Sequence, residues 1–367
     1  MSITSPSTRL DSVRALRGVA AVLVVVFHIY ELQRIWLHAN RPGDIPAAGP
    51  WTQGYAGVDL FFVISGFIMV YVTAGAAGGA RETAAFLKRR AIRIFPLWWV
   101  FCAILMLYYM ARFGAPVPDD FTGDNPAGYL LKSVLLIPQT YEPILGLGWT
   151  LIHEIWFYLI FALILWLCPK YKLAALLAWA AIVLILGVTV PAGVQAGSYP
   201  KLAASYLNLE FIAGGLAAWL ITRRIFIAPK LIFTAGIAAC VAALFLYTDK
   251  DVAQLLWGRV AVFTLPFCAL IYGAVAMEKT SGFRAPGPAL WLGDVSYSLY
   301  LSHILVLGVL VRLWPRLPLP DIGSAAGSLS FAAAGLAASA LTAGIFYYGA
   351  ERPMLRVMRS KALAKTR

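Results

Sequence analysis

Charged side chains are scarce in this sequence. Only 13% of its 367 residues are charged, whereas 61% are hydrophobic and the mean hydropathy is +0.77. An average soluble domain carries roughly 25% charged residues. A composition this poor in charge excludes an ordinary soluble globular protein and indicates a chain that crosses a membrane several times.

Cysteine is equally rare. The four cysteines, Cys102, Cys168, Cys240 and Cys268, lie in or beside apolar segments, and no two of them form a CxxC pair. This pattern predicts neither a disulfide framework nor a metal site. We therefore expect no metal cofactor.

Acidic residues are fewer than basic ones, 17 against 30, which gives a formal net charge of +13. Nucleic-acid binding would require a continuous basic patch. Here the basic residues instead flank apolar segments, as the positive-inside rule for membrane proteins describes. We therefore expect membrane lipids around the chain and no nucleic-acid partner.

Hydropathy predicts an all-α polytopic membrane protein with about ten transmembrane helices. The predicted spans are approximately 15–37, 57–74, 94–111, 149–168, 173–190, 206–222, 231–247, 257–277, 291–313 and 326–349. Assigning the connections alternately to the two sides puts most basic residues on one side, so both termini are predicted to be cytoplasmic. We expect residues 1–367 to form a single integral-membrane domain without an appended soluble domain, in the cell inner (cytoplasmic) membrane.

The first span carries two polar residues with a suggestive spacing. Arg17 and His28 are eleven residues apart, which on a helix is roughly 16 Å and about three turns, so both should lie on one face. That distance is about half the hydrocarbon thickness, which places the imidazole near mid-membrane. The alternative is a structural histidine that is hydrogen-bonded to a neighbouring helix.

Two acidic residues are expected at membrane depth near the outer side. Asp59 opens the second span, where a helix cap and a functional role are equally consistent with its position. Glu154 and Tyr158 in the fourth span are at i and i+4 and should share a face. Glu154 would lie about 8 Å below the outer end of its helix.

Further polar residues mark the inner side and the ninth span. Arg90 and Arg93, at i and i+3, suit phosphate because each guanidinium offers a planar fork of donors, although anchoring to lipid headgroups is an alternative. In the ninth span Ser296, Tyr300 and His303 should form one polar stripe, which would also serve to join helices. Glu351, where the last span ends, is predicted to pair with an inner arginine.

Six segments of the chain together resemble the membrane-bound acyltransferase family 3, which includes bacterial O-acetyltransferases of surface polysaccharides. They are Arg17 with ten residues before His28, GVDLFFVISGF at 57–67, RAIRIFPLW at 90–98, WTLIHE at 149–154, SYSLYLSH at 296–303 and ERP at 351–353. Each motif alone is modest, but they occur in family order and cover nearly the whole chain. The absence of a further module after residue 367 resembles the shorter, single-module enzymes of exopolysaccharide acetylation.

The resemblance implies an enzyme that takes an acyl group, usually acetyl, from cytoplasmic acyl-CoA to a hydroxyl of a glycan or lipid-linked glycan at the outer face. It implies that His28 and Arg17 are catalytic, with Arg17, Arg90 and Arg93 on the phosphates of acyl-CoA (acetyl-CoA). Glu154 joins the predicted catalytic set because of its depth near the outer end of the fourth span. On the acceptor we expect Asp59, Trp149, Tyr158, Tyr297, Tyr300 and His303.

The chemistry of acyl transfer is consistent with these residues. An imidazole gains and loses a proton near neutral pH and so suits deprotonation of an alcohol, although an acyl-histidine intermediate is equally open. A transporter or flippase for a glycan precursor or small solute is the alternative, because intramembrane His and Glu also mark proton-coupled transport. The chain lacks the internal repeats that many transporters carry.

Overall fold

The structure, a computed structural model, describes residues 10–41, 49–119, 121–190, 197–246 and 256–364, and in these ranges the regular elements are all helical. The helices are α1 Asp11–Asn40, α2 Ala56–Val72, α3 Ala80–Phe113, α4 Pro126–Leu135, α5 Gly148–Leu167, α6 Lys172–Thr189, α7 Tyr199–Ala203, α8 Leu207–Thr222, α9 Pro229–Leu246, α10 Leu256–Arg259, α11 Leu265–Ser281, α12 Gly287–Leu313, α13 Ala325–Phe346 and α14 Arg352–Ala364. Two π-helical turns, Val260–Thr264 and Tyr347–Glu351, join α10 to α11 and α13 to α14.

The predicted all-α polytopic fold is confirmed. Eight helical segments in the described ranges are long and apolar enough to cross a membrane, and Leu207–Thr222 and Pro229–Phe245 are shorter apolar helices. These two shorter helices coincide with the spans predicted at 206–222 and 231–247. The cytoplasmic location of both termini stays a prediction.

Helix α3 is longer than the span predicted for it. It begins at Ala80 rather than near residue 94, so the basic segment before Pro96 belongs to the same helix as the apolar span. Its basic residues are good helix formers, and a proline within a transmembrane helix is tolerated when its freed backbone groups find partners.

Between the third and fourth predicted spans lies a short helix, α4, which begins after Asn125. The Asn125 side chain accepts a hydrogen bond from the backbone N–H of Gly128 at 2.8 Å. The indoles of Trp98 and Trp99 on α3 each donate to a carbonyl near the end of α4, at 3.1 Å. These bonds explain why a segment too short to span the membrane is held beside α3.

The chain divides into two compact units. Unit 1 comprises Met1–Val72 and Ala213–Tyr347, and unit 2 comprises Thr73–Ile212 and Tyr348–Arg367. The sequence-based prediction of one integral-membrane domain stays a prediction.

In unit 1, α1 packs against α12 at very short range. A Cβ atom on Gly18 would lie 2.8 Å from the Cβ of Leu292, and one on Gly293 would lie 2.0 Å from the carbonyl oxygen of Arg14. Only glycine permits backbones to approach this closely, which is a common device for packing membrane helices. The contact fixes which residues of α1 face α12.

The N-terminus of α1 is held by side chains of two other helices. The Glu278 carboxylate on α11 accepts hydrogen bonds from the backbone N–H groups of Asp11 (3.1 Å) and Ser12 (2.8 Å). Arg14 forms a two-pronged ion pair with Asp294 on α12, with N–O distances of 3.1 and 2.6 Å. The capping carboxylate comes from a helix that is distant in sequence. The first turn of α1 is thereby fixed against α11 and α12.

In unit 2, α3 and α5 pack together and an aromatic cluster lies behind them. The ring of Phe157 on α5 is 4.7 Å from that of Phe211 and 6.4 Å from that of Trp179. Phe157 and Phe211 are fully buried. This cluster fixes the orientation of α5, which carries Glu154 and Tyr158.

Candidate functional site

Unit 1 brings His28 of α1 and His303 of α12 into contact. The ring centroids are 4.9 Å apart, and Nε2 of His303 is 3.3 Å from Nδ1 of His28. His303 is fully buried, whereas His28 is half-buried. The sequence analysis placed His28 near mid-membrane and His303 in a polar stripe of the ninth span, but it gave no indication that the two residues meet.

The backbone contacts of the two rings assign their protons. Nδ1 of His28 lies 2.9 Å from the carbonyl oxygen of Val24, and Nδ1 of His303 lies 3.1 Å from that of Leu299. A carbonyl only accepts, so each neutral ring carries its proton on Nδ1. The N–H of His28 is then shared between Val24 and Nε2 of His303, and Nε2 of His28 retains its lone pair.

The lone pair of His28 Nε2 is the basic group of this pair. Among the described residues no side chain or backbone group forms a hydrogen bond with this nitrogen. If Nε2 takes up a proton, Nδ1–H still donates to His303, so the neighbouring imidazole stabilises the cation that forms. Full burial favours a neutral His303.

Arg17 lies on the same unbroken helix as His28. Because α1 runs from Asp11 to Asn40 without interruption, the eleven-residue separation keeps both side chains on one face, roughly 16 Å apart. Arg17 is half-buried.

The predicted stripe on α12 is only partly available to a ligand. The hydroxyl of Ser296 donates to the Gly293 carbonyl of its own helix at 2.8 Å. The ring of Tyr300 lies 6.0 Å from that of His303 and packs edge-on against Phe61 at 5.8 Å. Tyr297, also expected on the acceptor, is buried.

Asp59 pairs with an arginine that the sequence analysis did not select. Nε and Nη2 of Arg259 donate to the two oxygens of the fully buried Asp59 carboxylate at 2.7 and 2.6 Å. Arg259 lies just inside the eighth predicted span, and a cation at such a position requires an acidic partner at similar depth. The expectation that a charged residue within a span has a partner could have drawn attention to Arg259. It would not have shown that the partner is Asp59.

In unit 2 the two arginines of the RxxR segment have different surroundings. The guanidinium carbon of Arg90 is 5.5 Å from the centre of the Phe86 ring and 5.8 Å from that of Tyr158. Arg93 forms an ion pair with Glu351, whose carboxylate is almost fully buried. The predicted pairing of Glu351 with an inner arginine is thus confirmed. The pairing neutralises positive charge on Arg93 that the sequence analysis had expected to bind phosphate.

Glu154 and Tyr158 share a face of α5, as their spacing predicted. The Tyr158 hydroxyl donates to Oε1 of Glu154 at 2.5 Å, so the ring that packs against Arg90 also holds the carboxylate. Trp149, one turn before, packs edge-on against His153 with centroids 5.6 Å apart. Within the ranges that the structure describes, no three His, Cys, Asp or Glu side chains are grouped so as to hold a metal ion.

Comparison with known proteins gives a family match over most of the chain. A model of the acyltransferase-3 family, described as an acyltransferase domain, matches residues 10–348. Among curated proteins, the exopolysaccharide production protein ExoZ of Rhizobium meliloti is 28% identical over 325 residues, which cover 85% of this chain and 92% of the relative.

Two other relatives cover similar regions. The acyltransferase MdmB of Streptomyces mycarofaciens is 25% identical, over 95% of this chain and 92% of its own length. The O-acetyltransferase OatA of Staphylococcus aureus is 26% identical over 80% of this chain but only 50% of its own length. No solved structure matches the chain.

Proposed function

The chain belongs to the acyltransferase-3 family, and from this premise we propose that it is a membrane-bound O-acyltransferase of the cell inner membrane. It transfers an acetyl group from cytoplasmic acetyl-CoA to a hydroxyl of a glycan or lipid-linked glycan at the outer face. The name of the relative ExoZ, an exopolysaccharide production protein, supports a glycan acceptor. The observation that carries the proposal is the contact between His28 and His303, which leaves Nε2 of His28 as a base near mid-membrane.

The reaction proposed at His28 is a direct transfer. Nε2 takes the proton of the acceptor hydroxyl while the oxygen attacks the thioester carbonyl, forming the new C–O bond. The C–S bond then breaks, and the CoA thiolate recovers the proton from the imidazolium. General-base assistance of this kind is typically worth ~10²–10⁴-fold in rate, and His303 stabilises the imidazolium through the Nδ1–H of His28.

The donor is proposed to be held by arginines. Arg17 is placed about three helical turns from His28 on one face, so a phosphate held there directs the rest of an extended acyl-CoA along α1. Arg90, whose guanidinium carbon lies 5.5 and 5.8 Å from the centres of the Phe86 and Tyr158 rings, offers its planar fork of donors to a second phosphate. Arg93, paired with Glu351, is proposed as the weaker contact.

The acceptor is proposed to contact polar and aromatic side chains. Glu154, oriented by the Tyr158 hydroxyl, accepts from sugar hydroxyl groups. Trp149 offers an aromatic face for a sugar ring. On α12 the acceptor is proposed to reach Tyr297 and Tyr300, the latter with its ring 6.0 Å from that of His303.

The proposal is tested with labelled acetyl-CoA supplied at the cytoplasmic face of membrane vesicles that contain the protein. The wild-type protein should attach label covalently to a glycan fraction, and His28→Ala should reduce transfer by at least ~10²-fold. His38→Ala, the same substitution at an exposed position of α1, is the matched control and should transfer normally.

Folding and donor binding are measured on the same purified, monodisperse samples. His28→Ala should melt at the wild-type temperature and still bind CoA. Turnover retained in His28→Ala would refute the catalytic role, and unmodified solute crossing without any acylation would indicate a transporter instead.

A further inference from the structure

Unit 1 holds a second buried polar group besides the histidine pair. Its centre is the ion pair between Asp59 on α2 and Arg259 at the end of α10, with N–O distances of 2.7 and 2.6 Å. Asp59 is 0% exposed and Arg259 9%. Because Arg259 uses two nitrogens on the two carboxylate oxygens, the pair fixes α2 against α10 in both distance and angle.

Tyr55 connects this ion pair to α1. The guanidinium of Arg259 lies over the Tyr55 ring at 4.5 Å, within the range of a cation–π contact. The same ring packs edge-on against Phe27 at 5.8 Å and against Phe263 in the π-helical turn at 6.1 Å. Its hydroxyl donates to Oε1 of Gln53 at 2.7 Å, so the ring is held from several sides.

Phe27 is the residue directly before His28. Its ring lies edge-on to the imidazole with centroids 5.2 Å apart. The backbone near Tyr55 also touches α1 without intervening side chains, because a Cβ on Gly54 or Gly57 would lie 2.3 Å from the carbonyl of Leu23 or Ala20. Rotation of α1 would therefore displace Phe27 and His28 together.

Stability alone gives little reason for an ion pair at this position. Desolvation of a buried pair costs as much as the attraction returns, and apolar residues of similar volume are often as stable. Ionisable residues within membrane spans are rare and generally functional. The Asp59–Arg259 ion pair contacts the Tyr55 ring, which packs against Phe27 next to His28. We therefore expect a functional reason for this ion pair.

We propose that Asp59, Arg259 and Tyr55 are positioning residues for His28. They set the rotation of α1 through Phe27 and thereby aim Nε2 of His28, and they take no part in bond making or breaking. This inference rests on the proposed acyl transfer and replaces direct binding of the acceptor as the role of Asp59. A misplacement of about 1 Å at a catalytic group can cost ~10²-fold in rate, so a small rotation of α1 is sufficient to matter.

The kinetic test compares single and exchanged charges. Asp59→Asn and Arg259→Gln should each lower kcat at least ~10-fold while the KM values for donor and acceptor stay within about twofold. The exchange Asp59→Arg with Arg259→Asp should recover part of the lost kcat. If Asp59→Asn instead raises the acceptor KM at normal kcat, Asp59 binds the acceptor and the proposal is wrong.

A second pair of variants tests the link through the ring. Tyr55→Phe keeps the ring and removes only the hydroxyl, so it should lose much less kcat than Tyr55→Leu, which should show the same kcat loss as Asp59→Asn. Equal activity of Tyr55→Leu and Tyr55→Phe would overturn the link. This comparison decides the question even if the charge variants fail to fold.

A readout that needs no acyl transfer separates this inference from the proposed function. Diethyl pyrocarbonate acylates accessible imidazole nitrogens, and peptide mapping reports the modification rate at His28 with His38 as the internal reference. Asp59→Asn and Tyr55→Leu should change the rate at His28 at least threefold and leave the rate at His38 unchanged. An unchanged rate at His28 contradicts positioning, and a changed rate supports it even if no acyl acceptor is found.

Discussion

The two arginines of the RxxR segment differ in their neighbours, which leads to a prediction at the scale of single residues. Arg90→Ala should raise the KM for acyl-CoA about tenfold, the equivalent of about 1.4 kcal/mol, with a smaller effect on the acceptor. Arg90→Lys should recover only part of this loss, because a compact ammonium lacks the planar fork of donors that a guanidinium offers to phosphate. Steady-state kinetics at saturating acceptor measure the effect, and an unchanged donor KM in Arg90→Ala would make Arg90 a membrane anchor.

Some features of the site were predictable from spacing alone. Glu154 and Tyr158 are four residues apart on one helix, and helical geometry brings them together as predicted. The contacts of His28 with His303 and of Asp59 with Arg259 were not predictable, because they join residues 275 and 200 positions apart. Such pairs depend on which helices pack side by side, and neither residue spacing nor hydropathy along the chain reveals that packing.

At the scale of helices, the cap on α1 can be tested separately from catalysis. Glu278→Ala removes the acceptor of two backbone N–H groups at the start of α1, and loss of a helix cap typically costs about 0.5–2 kcal/mol. The melting temperature in a fixed detergent should fall, and Glu278→Gln, which retains an acceptor oxygen, should fall less. Glu142→Ala, at an exposed loop position, is the control, and an equal melting temperature for it and Glu278→Ala would contradict the cap.

Hydropathy was sufficient to locate the helices but not all of their details. Apolar length predicts a span because a helix needs about 20 apolar residues to cross the hydrocarbon. The start of α3 at Ala80 was missed because the segment before Pro96 is rich in charged residues, so hydropathy alone does not join it to the apolar span. The π-helical turn Val260–Thr264 was not predicted either, because its residues are as apolar as those of the α-helices around it.

At the scale of the whole molecule, the distribution of basic residues predicts its orientation in the membrane. In a cysteine-free background, a cysteine at Arg356 should be protected from an impermeant maleimide in intact cells, and a cysteine at Asp119 should react. Both positions are exposed in the structure, so accessibility within the protein does not decide the result. Labelling with the opposite pattern would invert the predicted topology.

The two π-helical turns in the described residues have a consequence for the ion pairs beside them. A π-helical turn arises when one residue is inserted into an α-helix, and such turns are often found at functional sites. Arg259 directly precedes one turn, and Glu351 ends the other. Deleting the inserted residue would rotate the flanking helix by about 100° and turn the charged residue away from its partner. Deletion of one residue from either turn is therefore expected to break the neighbouring ion pair.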